Sequence, residues 1–159
     1  MKAIEKIIIA SVVGTSFMTL YSYFRARAEK QEYVEPVMLN KLIDKSKNLP
    51  EVDNEVVHPA GWGLHYLAGL GFVCAYWLLW RRALHKPTVP KIIVIGGISG
   101  LTGIAVWKLL FAQHGNPPHN HRTGYYRQLL TAHVVFTMFA LLTYRALEQH
   151  NNKNLIELK

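Results

Sequence analysis

An uncharged run of 21 residues does most to limit what this chain can fold into. It covers residues 60–80, reads AGWGLHYLAGLGFVCAYWLLW, and is followed at once by Arg81 and Arg82. A helix needs about 20 apolar residues to cross the hydrocarbon core of a bilayer. The chain is therefore expected to be an integral membrane protein.

Three more apolar runs have a similar length. They cover residues 7–24, 92–112 and 128–145, and polar segments separate them. A chain of 159 residues leaves room for one domain. The predicted fold class is all-α integral membrane, with four transmembrane helices in a single membrane domain, residues 1–159.

The first run has a competing interpretation as a secretory signal peptide, because Ala26-Arg27-Ala28 loosely imitates a small-x-small cleavage site. The run is longer than the apolar core of a usual signal peptide, and an arginine lies inside the supposed cleavage site. These two features favour a first span that is retained.

The outer segment, residues 25–59, contains one short amphipathic stretch. Pro36 suits the first turn of a helix, and Met38, Leu39, Leu42 and Ile43 share one helical face. We expect a short amphipathic helix that lies on the membrane surface or folds back on the bundle. A lid or a partner-docking helix is the alternative.

The loop RRALHKPTVPK, residues 81–91, carries four basic residues and no acidic one. Short loops rich in Lys and Arg mark the cytoplasmic side of a membrane protein. The loop therefore predicts that both termini are inside and that residues 25–59 and 113–127 are outside. Three basic residues directly after the first span argue against this orientation: Arg25, Arg27 and Lys30.

The net charge of +8 would suit a nucleic-acid-binding protein if the chain were soluble. Much of the basic charge flanks the apolar runs, however, where it serves topology and attraction to anionic lipid. No helix-turn-helix, RNP or zinc-finger pattern is present. The expected partners are the lipid bilayer and a membrane protein partner or a homo-oligomer, with no nucleic acid. The single cysteine, Cys74, excludes a disulfide within the chain.

Small residues recur along the third run. Gly96 and Gly100, like Ser99 and Gly103, are four residues apart and share one helical face. This spacing lets the backbones of two helices approach closely. It predicts a packing surface rather than a pore.

Three ionisable side chains are predicted to lie in one layer of the bundle. His65 is about five residues into the second span, or ~8 Å at helical rise, and His133 reaches the same depth in the fourth. Lys108 is ~6 Å below the outer end of the third span. Ionisable groups inside a span often mark a functional site. The alternatives are that Lys108 extends to the interface and that the histidines only bond a neighbouring helix.

Four further histidines form a weaker set of candidates just above this layer: His58, His114, His119 and His121. Histidines in a loop can hold a metal ion. The Asn and Pro residues between the last three do not fix any two of them on one helical face, so solvated loop histidines are the favoured interpretation.

The pattern resembles the YagU-type inner-membrane proteins over residues 34–147. The shared features are the PVMLN start of the outer helix, His65, the short basic loop, the third span ending in Pro117-Pro118, Ala132-His133 and Tyr144-Arg145. The resemblance implies a four-helix bacterial inner-membrane protein linked to acid tolerance, with His65 and His133 in family positions and no known reaction. This chain is shorter than the family pattern, and its loop at residues 113–121 is richer in histidine.

The expected function is that of a non-enzymatic bacterial inner-membrane protein, acting in envelope stress or acid tolerance or as an accessory subunit of a membrane complex. The alternative is a protein that binds haem or a transition metal through His65 and His133, since imidazole suits both ligands. An enzyme is disfavoured because no HExxH, Walker or Rossmann motif is present. A proton- or cation-coupled transporter is disfavoured because no predicted span contains Asp or Glu.

Overall fold

The computed structural model describes residues 1–46 and 49–157, with side chains up to residue 151. Within these residues the chain forms six helices: α1 (Ala3–Glu29), α2 (Glu35–Asp44), α3 (Pro59–Leu79), α4 (Arg81–His85), α5 (Val89–Gln113) and α6 (Arg122–Glu157). The helices α1, α3, α5 and α6 are long and apolar enough to cross a membrane. The predicted all-α fold with four candidate spans and a short helix between the first and second is confirmed.

Helix α6 lies at the centre of the bundle. It packs against α1 on one side and α5 on the other, and α3 packs against α1. The order around the bundle is therefore α3, α1, α6 and α5. Among the described residues, α3 and α5 have almost no backbone contact with each other.

Glycines set the close spacing of α5 and α6. A Cβ atom on Gly96 would come within 2.7 Å of Val134 Cα, and one on Gly100 within 3.0 Å of Leu130 Cα. Real Cβ atoms scarcely ever approach so closely, so the two backbones meet only because glycine occupies these positions. The packing surface predicted from the glycine spacing is where α5 contacts α6.

Helix α2 folds back on the bundle, with its apolar face buried. Asn40 ties it to the start of α3, because the side-chain Nδ2 donates to the backbone oxygens of Glu55 (2.8 Å) and His58 (2.9 Å). The Oδ1 atom of Asn40 accepts from the backbone N–H of Gly61 at 2.7 Å. The helix therefore covers one end of the bundle as an integral part of it.

Hydrogen bonds define the two ends of the bundle. At one end, which we call the α2 end, His114 Nε2 donates to the backbone oxygen of Leu42 at 2.9 Å. At the other, the α4 end, the N-terminal amine of Met1 donates to Asn151 Oδ1 at 2.5 Å. His85 of α4 bonds to Glu148 of α6, so the N-terminus, α4 and the part of α6 around Asn151 share the α4 end, while α2 and the 114–121 connection share the α2 end.

Helix α6 begins six residues before the predicted start of the fourth span. Tyr125 and Tyr126 therefore lie in the helix, although the sequence predicted a connecting segment that ended at residue 127. Tyr125 is fully buried, and its ring centroid is 5.3 Å from that of Trp107. The aromatic contacts of Tyr125 favour the extra helical turns at this end.

Candidate functional site

A cavity of about 340 Å³ lies in the half of the bundle nearest the α2 end. All four long helices and α2 contribute to its wall. Much of the wall is apolar and includes Met18, Leu39, Leu64, Phe72, Trp107 and Phe136. A cavity of this size with mostly apolar walls and a few polar groups has the character of a small-molecule site.

The cavity exists because α3 and α5 are joined at one level and separated at another. Towards the α4 end, Tyr76 Oη of α3 bonds to Ser99 Oγ of α5 (2.7 Å) and to Thr137 Oγ1 of α6 (2.8 Å). Towards the α2 end the two helices are separated by the cavity, and its rim includes Leu64 and Val106, which are 48% and 49% exposed. On a membrane-spanning bundle such exposed leucine and valine side chains face lipid, so the cavity opens sideways into the bilayer.

His133 presents an unprotonated ring nitrogen at the wall of this cavity. Its Nδ1 lies 2.8 Å from the backbone oxygen of Leu129. Because a carbonyl oxygen can only accept, Nδ1 carries the proton and Nε2 carries the lone pair. The Nε2 atom lies against Gly103, where a Cβ would come within 2.8 Å of it. Glycine at this position therefore makes room for the imidazole.

His65 has a fixed tautomer as well. Its Nε2 lies 2.9 Å from the hydroxyl of Thr19, and that hydroxyl donates its own proton to the backbone oxygen of Thr15 at 2.9 Å. The Thr19 oxygen must therefore accept from His65 Nε2–H, which leaves the lone pair on Nδ1. Both histidines are buried and line the same cavity, as their matched depth predicted.

Glu35, at the start of α2, brings a third ionisable side chain to the cavity. It is only 2% exposed, and its Oε1 accepts from Ser22 Oγ of α1 (2.8 Å) and from Gln128 Nε2 of α6 (3.4 Å). Burial raises the pKa of this carboxyl from its ordinary 4.5 to about 7, and the hydrogen bonds offset only part of that effect. Glu35 was not among the site residues predicted from the sequence.

Several buried polar atoms have no hydrogen-bond partner among the described residues, and two of them, Glu35 Oε2 and Thr15 Oγ1, belong to residues that line the cavity. A buried polar group left unpaired costs about 1–3 kcal/mol. A molecule in the cavity that paired with either atom would offset that cost.

No family model, curated protein or solved structure matches this chain. What the site can do therefore follows from its own groups. It offers two imidazole lone pairs, a buried carboxyl and apolar walls. Such a site can bind a hydrogen-bond donor, and it contains no nucleophile–base pair among the described residues.

Lys108 does not join the two histidines. It lies on the exposed side of α5, and its Nζ is 5.6 Å from the ring centroid of Tyr126. The structure therefore brings together His65 and His133, as predicted from their depth, but directs Lys108 away from the cavity.

The four weaker candidates lie apart from the cavity. His58 caps α3 by accepting from the backbone N–H of Ala60 at 3.4 Å, and His114 bonds to α2. His119 and His121 are exposed. Across the described part of the chain, no group of three His, Cys, Asp or Glu side chains is placed to hold a metal ion. The loop histidines are thus not assembled as a metal site.

Proposed function

We propose that the protein is a non-enzymatic ligand-binding protein of a bacterial inner membrane, and that its cavity takes up a lipid-soluble molecule with hydroxyl groups. The observation that carries the proposal is the pair of histidines, each with a fixed acceptor nitrogen, in a cavity that opens towards lipid. The same membrane setting is what the sequence resemblance to YagU-type proteins implies.

The choice of a hydroxyl-bearing ligand follows from the protonation of the site. A neutral imidazole with its N–H already bonded can only accept at its other nitrogen, so it pairs with an O–H donor. The apolar walls suit an aromatic ring or a hydrocarbon chain. Quinols combine both features, because they carry two hydroxyl groups on an apolar ring.

The same groups link binding to acid. Protonation of either imidazole turns its acceptor nitrogen into a donor, so a ligand hydroxyl can no longer donate to it and the pairing survives only if the hydroxyl turns to accept. We therefore expect the ligand to dissociate in acid, which suits a role in acid tolerance. With both termini inside, the cavity lies in the outer half of the membrane, where external acid arrives first. An accessory subunit of a larger membrane complex could pass this response to a partner.

Binding can be measured in the purified protein through quenching of Trp107, which lines the cavity. Duroquinol, with two hydroxyl groups, should quench at lower concentration than duroquinone, which has only carbonyl acceptors. Trp107→Phe should remove most of the signal. Equal affinity for the two compounds, or no quenching by either, would contradict the proposal.

Variants of the two histidines test which groups hold the ligand. His65→Ala and His133→Ala should each weaken duroquinol binding by about tenfold, the effect of losing one hydrogen bond of ~1.4 kcal/mol. The double variant should add little to either single loss if the two act as a unit. The control is His121→Ala, which removes an exposed histidine outside the cavity and should bind as the wild type does.

Haem or a single transition-metal ion is the second candidate ligand. A histidine that ligates a metal ordinarily donates its other ring N–H to a protein acceptor, and both His65 and His133 do so. The visible spectrum of the purified protein separates the two candidates. A Soret band that disappears in His65→Ala and His133→Ala would favour haem over a quinol.

A further inference from the structure

The middle of the chain is free of acidic residues. From residue 56 to residue 147 the sequence contains no Asp or Glu, although it contains eight Lys and Arg residues. Helices α3, α4 and α5 lie within this region. The basic residues of α4 and of the start of α5 therefore have no carboxylate on their own helices.

A second cavity, of about 540 Å³, lies among these basic residues at the α4 end. The last turn of α3, the start of α4 and the first two turns of α5 form its wall. Its lining includes three cationic side chains and no acidic one: Arg81, Arg82 and Lys91. The cavity is therefore positively charged on one side.

The basic side chains of this cavity have no carboxylate partner among the described residues. The Arg81 guanidinium lies 4.9 Å from the ring centroid of Trp77, and Lys91 Nζ donates to the backbone oxygen of Lys86 at 2.8 Å. Neither contact neutralises charge. An anion in the cavity would meet positive charge that no carboxylate of the described residues pairs with.

Glu148, an acidic residue of α6 at the α4 end, is already occupied. The Glu148 carboxylate of α6 is bonded to His85 Nδ1 at 2.7 Å and to Arg145 Nη1 at 3.2 Å, and Lys6 Nζ is 3.9 Å away. One carboxylate is thus shared among three basic side chains. Arg82 and Lys91 are not among the partners of this carboxylate.

The α2 end shows the opposite arrangement. There Arg25 pairs with Glu29, and Lys41 lies 2.6 Å from a carboxylate oxygen of Glu32. These two basic side chains at that end are therefore paired within the protein. In the cavity at the α4 end, none of the three basic side chains is paired with a carboxylate of the described residues.

The other wall of the cavity is apolar and exposed. Leu78, Leu79 and Val94 line it and are 71%, 70% and 59% exposed. Trp80 lies between this wall and the basic residues, at the level where tryptophans mark the membrane interface. The cavity thus places positive charge at headgroup depth directly beside a surface that suits acyl chains.

We infer that this cavity binds one anionic phospholipid. The phosphate group lies against Arg82 and Lys91, and the acyl chains follow Leu78, Leu79 and Val94 into the bilayer. A soluble phosphate would use only the basic side of the cavity. The exposed apolar wall is what selects a lipid. This site is at the opposite end of the bundle from the histidine cavity, so neither site depends on the other.

Native mass spectrometry of the full chain in detergent tests the site. Wild-type protein should retain one phosphatidylglycerol molecule at concentrations at which phosphatidylcholine of the same chain length is lost. The double variant Arg82→Gln/Lys91→Gln should need at least tenfold more phosphatidylglycerol for the same occupancy. The double variant Arg122→Gln/Arg127→Gln, which removes two exposed charges at the α2 end, should bind as the wild type does.

Two further measurements separate the contributions that the basic charges and the acyl chains make to lipid binding. The variant Arg82→Lys/Lys91→Arg keeps both charges and should retain the lipid. Glycerol 1-phosphate, which has the headgroup chemistry without acyl chains, should not displace phosphatidylglycerol at millimolar concentration. Three results would each overturn the inference. They are equal retention of the two lipids, equal loss of lipid in both charge-neutralised variants, and displacement of the lipid by glycerol 1-phosphate.

Discussion

At the residue scale, the Glu35 carboxyl makes a specific prediction about pH. Burial raises its folded-state pKa to about 7, above the ordinary 4.5. The folded protein therefore holds this proton more tightly than the unfolded chain does. The resulting stabilisation is complete below pH 4.5, falls as the pH rises to about 7, and is absent above that. A pKa shift of one unit corresponds to about 1.4 kcal/mol, so the free energy of unfolding should differ by roughly 3 kcal/mol between the two pH limits.

The measurement is thermal unfolding in detergent at pH 5.5 and pH 8. The change from pH 5.5 to pH 8 should lower the melting temperature more in the wild type than in Glu35→Gln. Glu32→Gln is the control, because it removes a carboxylate that is 40% exposed and paired with Lys41. An equal decline in wild type and Glu35→Gln would show that another group is responsible.

The site residues differ in how far the sequence could identify them. Helical rise alone predicts one depth for His65 and His133, and in the structure both side chains line one cavity. The depth of a residue in the membrane does not show which face of its helix it occupies, however. On α5 the Gly96, Gly100 and Gly103 face packs inwards, and Lys108 falls on a different, exposed face. Glu35 could not be placed from the sequence, because its partner Gln128 is 93 residues away.

At the element scale, contact between α5 and α6 should depend on Gly100. Gly100→Leu would force a large side chain against Leu130, and overpacking of this kind costs about 1–3 kcal/mol. We expect a clearly lower melting temperature in detergent. Gly97→Leu is the matched control, since a Cβ there meets nothing within 4 Å. An equal effect of both substitutions would point to loss of glycine rather than to helix contact.

Helix α1 contributes to the site, which makes its retention testable. It supplies Thr15 and Met18 to the cavity wall and Thr19 to His65. Cleavage after Ala28 would remove all three residues and expose the face of α6 that α1 covers. The intact mass of the purified protein should therefore include residues 1–28. A mature N-terminus at Glu29 would mean that the signal-peptide interpretation was right.

The helices themselves could be predicted because each is an apolar run of membrane-spanning length. Their boundaries depend on contacts between distant parts of the chain. Helix α6 starts at Arg122 rather than near residue 128, where Tyr125 packs against Trp107 and Phe111. Composition does not show such contacts, so the polar residues before the apolar run resemble a loop.

At the scale of the whole molecule, the predicted orientation puts both termini and the 81–91 connection inside the cell. Single cysteines on a Cys74→Ser background test it in intact cells with a membrane-impermeant maleimide. His119→Cys, at an exposed position of the α2 end, should be labelled, and Lys86→Cys should be labelled only after lysis. The reverse pattern would invert the orientation and place the histidine cavity in the inner leaflet.

If the histidine cavity binds the proposed ligand, the sideways opening between α3 and α5 determines which concentration of that ligand matters. For a ligand that enters from the lipid, binding depends on its mole fraction in the surrounding leaflet and not on its concentration in water. A strongly partitioning compound is enriched there, so a modest intrinsic affinity is enough to fill the cavity. Diluting the membrane with inert phospholipid should empty the site even when the amount of compound per volume of suspension is unchanged. Occupancy of the cavity would then depend on the composition of the membrane.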